Sequence, residues 1–538
     1  MLCHPRFLTV KTTWQRRCNQ QCLLSLLLLS NLLYTLPAAA QSQAKPAVMQ
    51  PKADLLIEQV NLLSPELAAP LPAQQVLVRA GRIVSVLAND SPAAGRIRAS
   101  YTGARLDGRG RFLTPGLMDS HVHLSHPPGL RPTDDNAAAL TRAFSQQQPR
   151  SYLYFGVTQV LDLANTVDGV ADFQAQPVKP DLFRCGAAPV QDGYPIHQLP
   201  KAQRAQRQPD FIVEHAAQHA HPTAQPTAQH SQQHSPEAVV GRIKQSGAHC
   251  LKIFVENGFG DADHLPVYSQ DSLRRLRQAA DASQLPLVAH ANAYDMQRLA
   301  LQASPDVLAH GLWNWSGLSA EVRQQAIATG QLPAAIQTHL QQVHQAGIGY
   351  QPTIQVLERM GALFEPATLT DPQLAKVVPG ALLRWYQTPQ AQWFRQELQQ
   401  DFGDAPASVA AAAFNTGSRR GASAAFYLHQ LGHPLLLASD TPSSPTYAHQ
   451  PGYGTYLEIQ AMAAAGISLQ AIFEAGTINN ARWLKIDHDF GTVSKGKVAN
   501  LLLLKENPLQ HSRNWDSIEQ VIVHGVALPR ASLAASSD

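Results

Sequence analysis

Apolar and polar positions alternate in short blocks over residues 55–63, 75–79, 82–87 and 104–113, with Ala80-Gly81, Gly108 and Gly110 as punctuation. Period-two blocks bounded by turn residues predict a small β unit. The pattern then changes. Continuous apolar runs at 117–124, 157–163, 182–187, 251–255, 286–291, 307–310, 348–352 and 435–439 recur with longer, helix-compatible stretches between them. Parallel neighbours need long crossovers, and strands covered on both faces read as unbroken apolar runs, so this series predicts a parallel (β/α)8 TIM barrel. Residues 491–505 and 521–528 return to β character. They are expected to join the first blocks in a small β-sandwich built from both the N- and C-terminal segments. The expected division is 41–112 and 489–538 for the two parts of the sandwich and 113–488 for the barrel.

Two stretches interrupt the barrel pattern. Residues 200–238 are rich in Gln, Ala and His, including His215, His219, His221, His230 and His234, and lack an apolar period, which predicts a mobile low-complexity insertion. Residues 358–425 have helical character with Trp385, Tyr386, Trp393 and Phe394. Following the seventh strand, this second insertion is expected at the catalytic face as a lid or substrate wall. Ahead of the first strand, Arg6, Lys11, Arg16 and Arg17 precede an apolar run over 23–36 and the small residues Ala38 and Ala40. That run is shorter than the roughly 20 residues of a membrane span, so residues 1–40 read as a signal peptide and the mature protein as periplasmic or secreted, without stable membrane insertion. Arg16-Arg17 is followed by Cys18-Asn19-Gln20, a poor match to a twin-arginine signal.

Length and a 44% hydrophobic content allow a large core, and a net charge of +3 with no basic block argues against nucleic acid as a partner. A small-molecule substrate is expected, and the pattern leaves self-association into a homo-oligomer open. Of the five cysteines, only Cys185 and Cys250 lie outside the predicted signal. Two cysteines exclude a disulfide framework. Both are expected as buried thiols, although an oxidising compartment permits one bridge.

The densest chemistry lies in Thr114-Pro115-Gly116-Leu117-Met118-Asp119-Ser120-His121-Val122-His123. Residues two apart on a strand project to one side, and two imidazoles converging inside a barrel suit a metal better than packing. His126 is expected on a loop beyond them. His290, His310 and Asp440 stand at the ends of later apolar runs, where barrel active sites form. Asp119 and Asp162 are expected as structural hydrogen-bond acceptors. The segments 255–260, 290–293 and 310–315, with Trp313 and Trp315, and the strand-end pair Tyr350 and Gln351 are candidate substrate contacts.

This ordered set, a His-x-His after Pro-Gly-Leu-x-Asp, two later strand-end histidines and a final Asp, resembles the amidohydrolase superfamily. The stretch Thr477-Ile478-Asn479-Asn480-Ala481 through Leu484, Asp487, Gly491, Gly496-Lys497 and Asn507-Pro508-Leu509 resembles the imidazolonepropionase-like branch, with Asn500 departing from the usual Asp. The resemblance implies one or two Zn2+ ions held by His121, His123, Lys252, His290, His310 and Asp440, with Lys252 carboxylated as the bridge of a binuclear centre. It further implies a water acidified to a pKa of roughly 7, Asp440 as general acid/base, and His290 or His310 polarising the scissile carbonyl. The leading expectation is a metal-dependent hydrolase of carbon–nitrogen bonds, amide, peptide or cyclic amide, in a small molecule. Export favours a peptide, an acylated amino acid or an environmental compound over a housekeeping metabolite. A lactone or ester hydrolase on the same site and a noncatalytic periplasmic metal-binding protein are the alternatives. Asp440 separates the second, because a scavenger needs ligands but no acid/base.

Overall fold

The structure is a computed structural model that describes residues 51–124, 126–214, 228–258 and 264–537. The expected signal peptide and four of the insertion histidines, His215, His219, His221 and the His230 side chain, lie outside the described residues. Among the described residues no helix is long and apolar enough to cross a membrane.

The first blocks form β1 (Leu55–Leu62), β2 (Leu71–Arg79), β3 (Arg82–Ala88), β4 (Ala104–Asp107) and β5 (Phe112–Pro115). Between β3 and β4 the alternating pattern conceals a helix, Pro92–Ser100, started by Ser91 accepting from the Ala94 amide and by proline at its first position. A second, parallel series follows: β6 (Leu117–Val122), β7 (Val157–Asp162), β8 (Asp181–Ala187), β9 (Cys250–Phe254), β10 (Leu287–His290), β11 (Val307–Ala309) and β12 (Gly349–Gln351). These seven strands stand side by side in chain order, each parallel to the next. Helices cross over between them with apolar faces inward. Gln270–Ala282, capped by Ser269, buries Leu273, Leu276 and Ala280 at three- and four-residue spacing.

The eighth apolar run, 435–439, does not form a regular strand. It is joined to both edges of the curled sheet instead. Leu436 donates to the Tyr350 carbonyl at 3.0 Å, while Ser120 donates to the Leu437 carbonyl at 3.1 Å and His123 to that of Thr441 at 3.0 Å. Two side-chain amides, from Asn479 and Asn480, cap the carbonyls of Leu435 and Leu437, the second also reaching Met118. The motif that drew attention in the sequence therefore pins this irregular segment against β6.

The two terminal β pieces do not build a sandwich of separate sheets. With β13 (Leu501–Leu504), β14 (Ile518–Val523) and β15 (Val526–Pro529) they form a single eight-stranded sheet, ordered β15-β14-β13-β5-β1-β2-β3, with β4 on β1. The sheet rolls over: Ile83 of β3 donates to the Lys497 carbonyl at 2.9 Å, next to an antiparallel bridge from Arg82 to Val498. One rolled sheet can enclose Ile57, Val76, Ile83, Leu501 and Ile522 in a common core without a second layer. Strand alternation alone does not distinguish the two arrangements.

A second correction concerns the cysteines. Cys185 of β8 and Cys250 of β9 are direct register partners with Cα atoms 4.3 Å apart and form a disulfide. Their 65-residue separation hides this adjacency until the strands are paired. In the insertions, Lys201–Gln203, Arg204–Arg207 and Pro236–Gln245 are helical, and His234 stacks on Phe211 at 3.9 Å between ring centres. Residues 358–425 are helical as expected, with Ile354–Ala362 packed along Ala407–Gln430.

Candidate functional site

Five of the six sequence-selected side chains crowd one end of the parallel sheet. His121, near the end of β6, and His123, just beyond it, direct Nε2 atoms at the same oxygen, Asp440 Oδ1, at 3.0 and 2.9 Å. His310 follows β11 and places Nδ1 3.5 Å from Asp440 Oδ2. His290 ends β10, its ring centre 4.6 Å from that of His310. The ligand atoms of His121, His310 and Asp440 lie within 4.8 Å of one another, so these three share one small volume, while His123 and His290 flank it.

The backbone is bent to present these groups. His310 and Asp440 have φ of +78° and +53°, and Thr353 beside His310 has +45°. Non-glycine residues in this region each cost on the order of 1–3 kcal/mol and persist where surrounding contacts impose them. The Asp440 amide donates to the His121 carbonyl at 2.7 Å, and Gln355 Nε2 holds the preceding Ser439 carbonyl at 2.5 Å.

Electrostatics suit a cation. Burial pushes His121 down to about 4 and holds His290 and His310 well below the usual imidazole range, so their nitrogen lone pairs are available at neutral pH. Burial works against ionisation of Asp440 too, but His121, His310 and His123 outweigh it and hold the carboxyl well below the ordinary range. His123, despite desolvation, is raised by Asp440. Lys252, on β9, is 1% exposed, and its Nζ makes no hydrogen bond. It pairs with neither Glu256 nor Asp440; Nζ lies 5.6 Å from the centre of the Phe254 ring, and burial brings it down to about 7. Neutral imidazoles beside a carboxylate are a donor set that a divalent cation takes, and a buried amine without a partner stands next to them.

The surrounding residues sort themselves by their bonds. Asp119 accepts from the His121 and Ser439 amides and from Thr455 Oγ1, and Asp162 accepts from the Leu124 amide at 2.7 Å, so both serve the structural role expected. Gln351 is not a substrate contact. Its Oε1 lies 3.2 Å from His121 Nδ1 and its Nε2 donates to the Ser120 carbonyl, which leaves His121 Nε2 facing Asp440. Tyr350 is buried, its hydroxyl accepting from the Leu312 amide. Trp315 packs under Arg420, whereas the Trp313 ring lies 5.2 Å from that of His310. His126 is exposed on its loop. Of the expected substrate loop 255–260, residues 255–258 are described.

Two further residues reach the site, Glu256 from the expected loop 255–260 and Tyr194, which the sequence reading did not select. Glu256 is 1% exposed, with Oε2 3.7 Å from His290 Nε2, and burial pushes it up to about 8. Tyr194, from the loop after β8, lays its ring 4.7 Å from that of His290. A carboxylate four residues after Lys252 was visible as a letter; its burial was not.

Residues 418–528 match the model of the amidohydrolase family. The matched segment carries Asp440 and the Asn480 clamp, while the histidine ligands precede it. Solved amidohydrolase-type structures share the fold over most of the chain. A prolidase complexed with N-methylphosphonate-L-proline is 18% identical, covering 89% of this chain and 100% of its own, with a TM-score of 0.59. The A. niger ochratoxinase is 18% identical over 89% of this chain and 96% of its own, with a TM-score of 0.59. Molinate hydrolase is 16% identical over 89% and 95%, with a TM-score of 0.58. At such identities the likeness is one of fold. No curated protein matches the chain by sequence.

Proposed function

We propose that this protein is an amidohydrolase, an exported, metal-dependent hydrolase of carbon–nitrogen bonds, amide or peptide, in a small molecule. The observation that carries the reading is the convergence of His121, His123 and His310 on the Asp440 carboxylate beside the unpartnered Lys252 amine. The structural relatives, a prolidase among them, point the same way.

In this reading His121, His123, His290, His310 and Asp440, together with a Lys252 carboxylated by carbon dioxide, would hold one or two Zn2+ ions. When bound, the metal supplies Lewis acidity toward water and toward a carbonyl oxygen. Asp440, kept ionised by its imidazole neighbours, takes the proton of the attacking water and delivers it to the leaving nitrogen. His290, neutral and turned from Asp440 toward Glu256, is placed to orient the carbonyl oxygen. Trp313 and Tyr194 wall the space above the histidines and limit water.

The frame belongs to the same proposal: a (β/α)8 barrel over 113–488 whose eighth position is the irregular segment 435–441. Residues 1–40 act as the export signal, and the Cys185–Cys250 disulfide supports an oxidising destination. Metal content per chain of the mature protein, measured with hydrolysis of dipeptides, acyl amino acids, cyclic amides and lactones, tests the reading. Bound metal that falls in His121→Ala and Lys252→Ala, with turnover of one amide class, is expected. A metal-free protein at these ligands, or turnover of lactones alone, overturns it.

A further inference from the structure

Glu256 carries a charge-capable group that none of the roles above uses. It lies at the end of the same β9 run as Lys252, 1% exposed, and its Oε2 accepts from the Asn292 amide at 3.2 Å. Among the described residues its Oε1 makes no hydrogen bond of regular geometry, although the Asn257 and Gly258 amides lie close to the carboxyl, and Lys252 does not pair with it. The Asn292 side chain is also buried, its Nδ2 3.4 Å from His290 Nε2 and its Oδ1 without a donor. A buried carboxylate oxygen without a donor is costly to maintain, so a structure that keeps one beside an active centre implies a donor that arrives from outside. Aromatic rings enclose the spot: Tyr194 and Phe254 lie 4.7 and 5.9 Å from the His290 ring and 6.0 Å from each other. Their faces favour a cation over an anion or a neutral carbonyl.

We infer that Glu256, with Asn292, Tyr194 and Phe254, forms a subsite for a primary ammonium group of the substrate. The inference rests on the amide-hydrolase reading and narrows its substrate class to molecules with a free amine beside the scissile carbonyl, such as peptides with an unblocked N-terminus. N-acylated compounds are disfavoured. The arriving ammonium favours the ionised form of Glu256, whose proton leaves to solvent, and it then donates to Oε1 and to the Asn292 side-chain oxygen, placing the adjacent carbonyl at His290.

The test separates binding from turnover. Metal-loaded mature protein is titrated calorimetrically with L-leucinamide and with N-acetyl-L-leucinamide, and each compound is followed for hydrolysis in parallel. Binding of L-leucinamide at least tenfold tighter than its acetyl derivative, with the preference lost in Glu256→Gln, is expected. Equal affinity for the two compounds in the unaltered protein, or no binding of either at millimolar concentration, overturns the inference even if Glu256→Gln fails to fold. Loss of a metal equivalent in Glu256→Gln also overturns it, since the carboxylate would then be a metal ligand. Selective binding of the amine without hydrolysis of any amide leaves the subsite standing and removes the proposed function instead.

Discussion

At the scale of single residues, the centre works by making water a poor competitor. His121 is 1% exposed and would be a liability in any packed core, yet it has a partner on each nitrogen: Gln351 on Nδ1 and Asp440 on Nε2. Gln351→Leu keeps the volume and removes the Nδ1 partner, so metal affinity is expected to fall about 10- to 100-fold, read by competition with a chromogenic chelator. Asp440 does two things, and its variants separate them. Asp440→Asn keeps the shape but cannot take a proton, and turnover should fall by about 10²- to 10⁴-fold while most metal remains bound. Metal content preserved with turnover unchanged would remove Asp440 as the acid/base. The His-x-His pair and the strand-end His290, His310 and Asp440 were legible in sequence because strand periodicity fixes which way a side chain projects. The orientation of Gln351 and the burial of Glu256 depend on contacts from distant strands, which no local spacing encodes.

Elements carry the next level of constraint. The helix Tyr453–Ala464 contributes Glu458, fully buried, whose Oε2 accepts from the Gln355 amide at 2.9 Å. Gln355 in turn holds the Ser439 carbonyl, one residue before Asp440. Burial pushes Glu458 up from 4.5 to about 8. A carboxyl with a raised folded-state pKa contributes stability that is fully present below about 4.5 and lost as pH rises through about 8. Glu458→Gln removes that titration and keeps an acceptor for the Gln355 amide. Its thermal midpoint should therefore fall less than that of the unaltered protein between pH 5 and pH 9, as followed by circular dichroism with ionic strength held near 0.15 M. Parallel traces for the two proteins would show that Glu458 does not titrate in the folded state over this window. The β8–β9 disulfide makes a second prediction at this level. It closes a 65-residue separation, for which loop entropy gives about 4 kcal/mol. Cys185→Ser should lower the denaturant midpoint correspondingly, and reductant should do the same to the unaltered protein but not to the variant. The strand pattern placed both cysteines on strands but left their register open, and register decides whether they meet.

The whole molecule is held together by strands that have two inside faces. In β13 and β14, Leu501, Leu503 and Ile522 face the rolled sheet's own core, while Leu502, Leu504, Val521 and Val523 join the core of the parallel sheet and its helices. Alternation of apolar and polar residues marks a strand with one wet face; here nearly every position is apolar, which is why the end of the chain read simply as β and its bridging role stayed hidden. Of the two, β13 pairs with β5, directly ahead of the strand that carries His121. Chain continuity, sheet pairing and core packing all run from the terminal sheet into the proposed metal centre. Each of those four side chains contributes about 1.5–3 kcal/mol on burial, a sum comparable with the 5–15 kcal/mol net stability of a typical folded domain. A fragment limited to residues 113–488 would expose that apolar face and lose the partner of β5. It is expected to be insoluble or to melt without cooperativity, and to bind no metal in the micromolar range, whereas residues 41–538 fold and bind it. A soluble 113–488 fragment with a cooperative transition and bound metal would show that the parallel sheet stands alone, and that the rolled sheet serves something other than its stability.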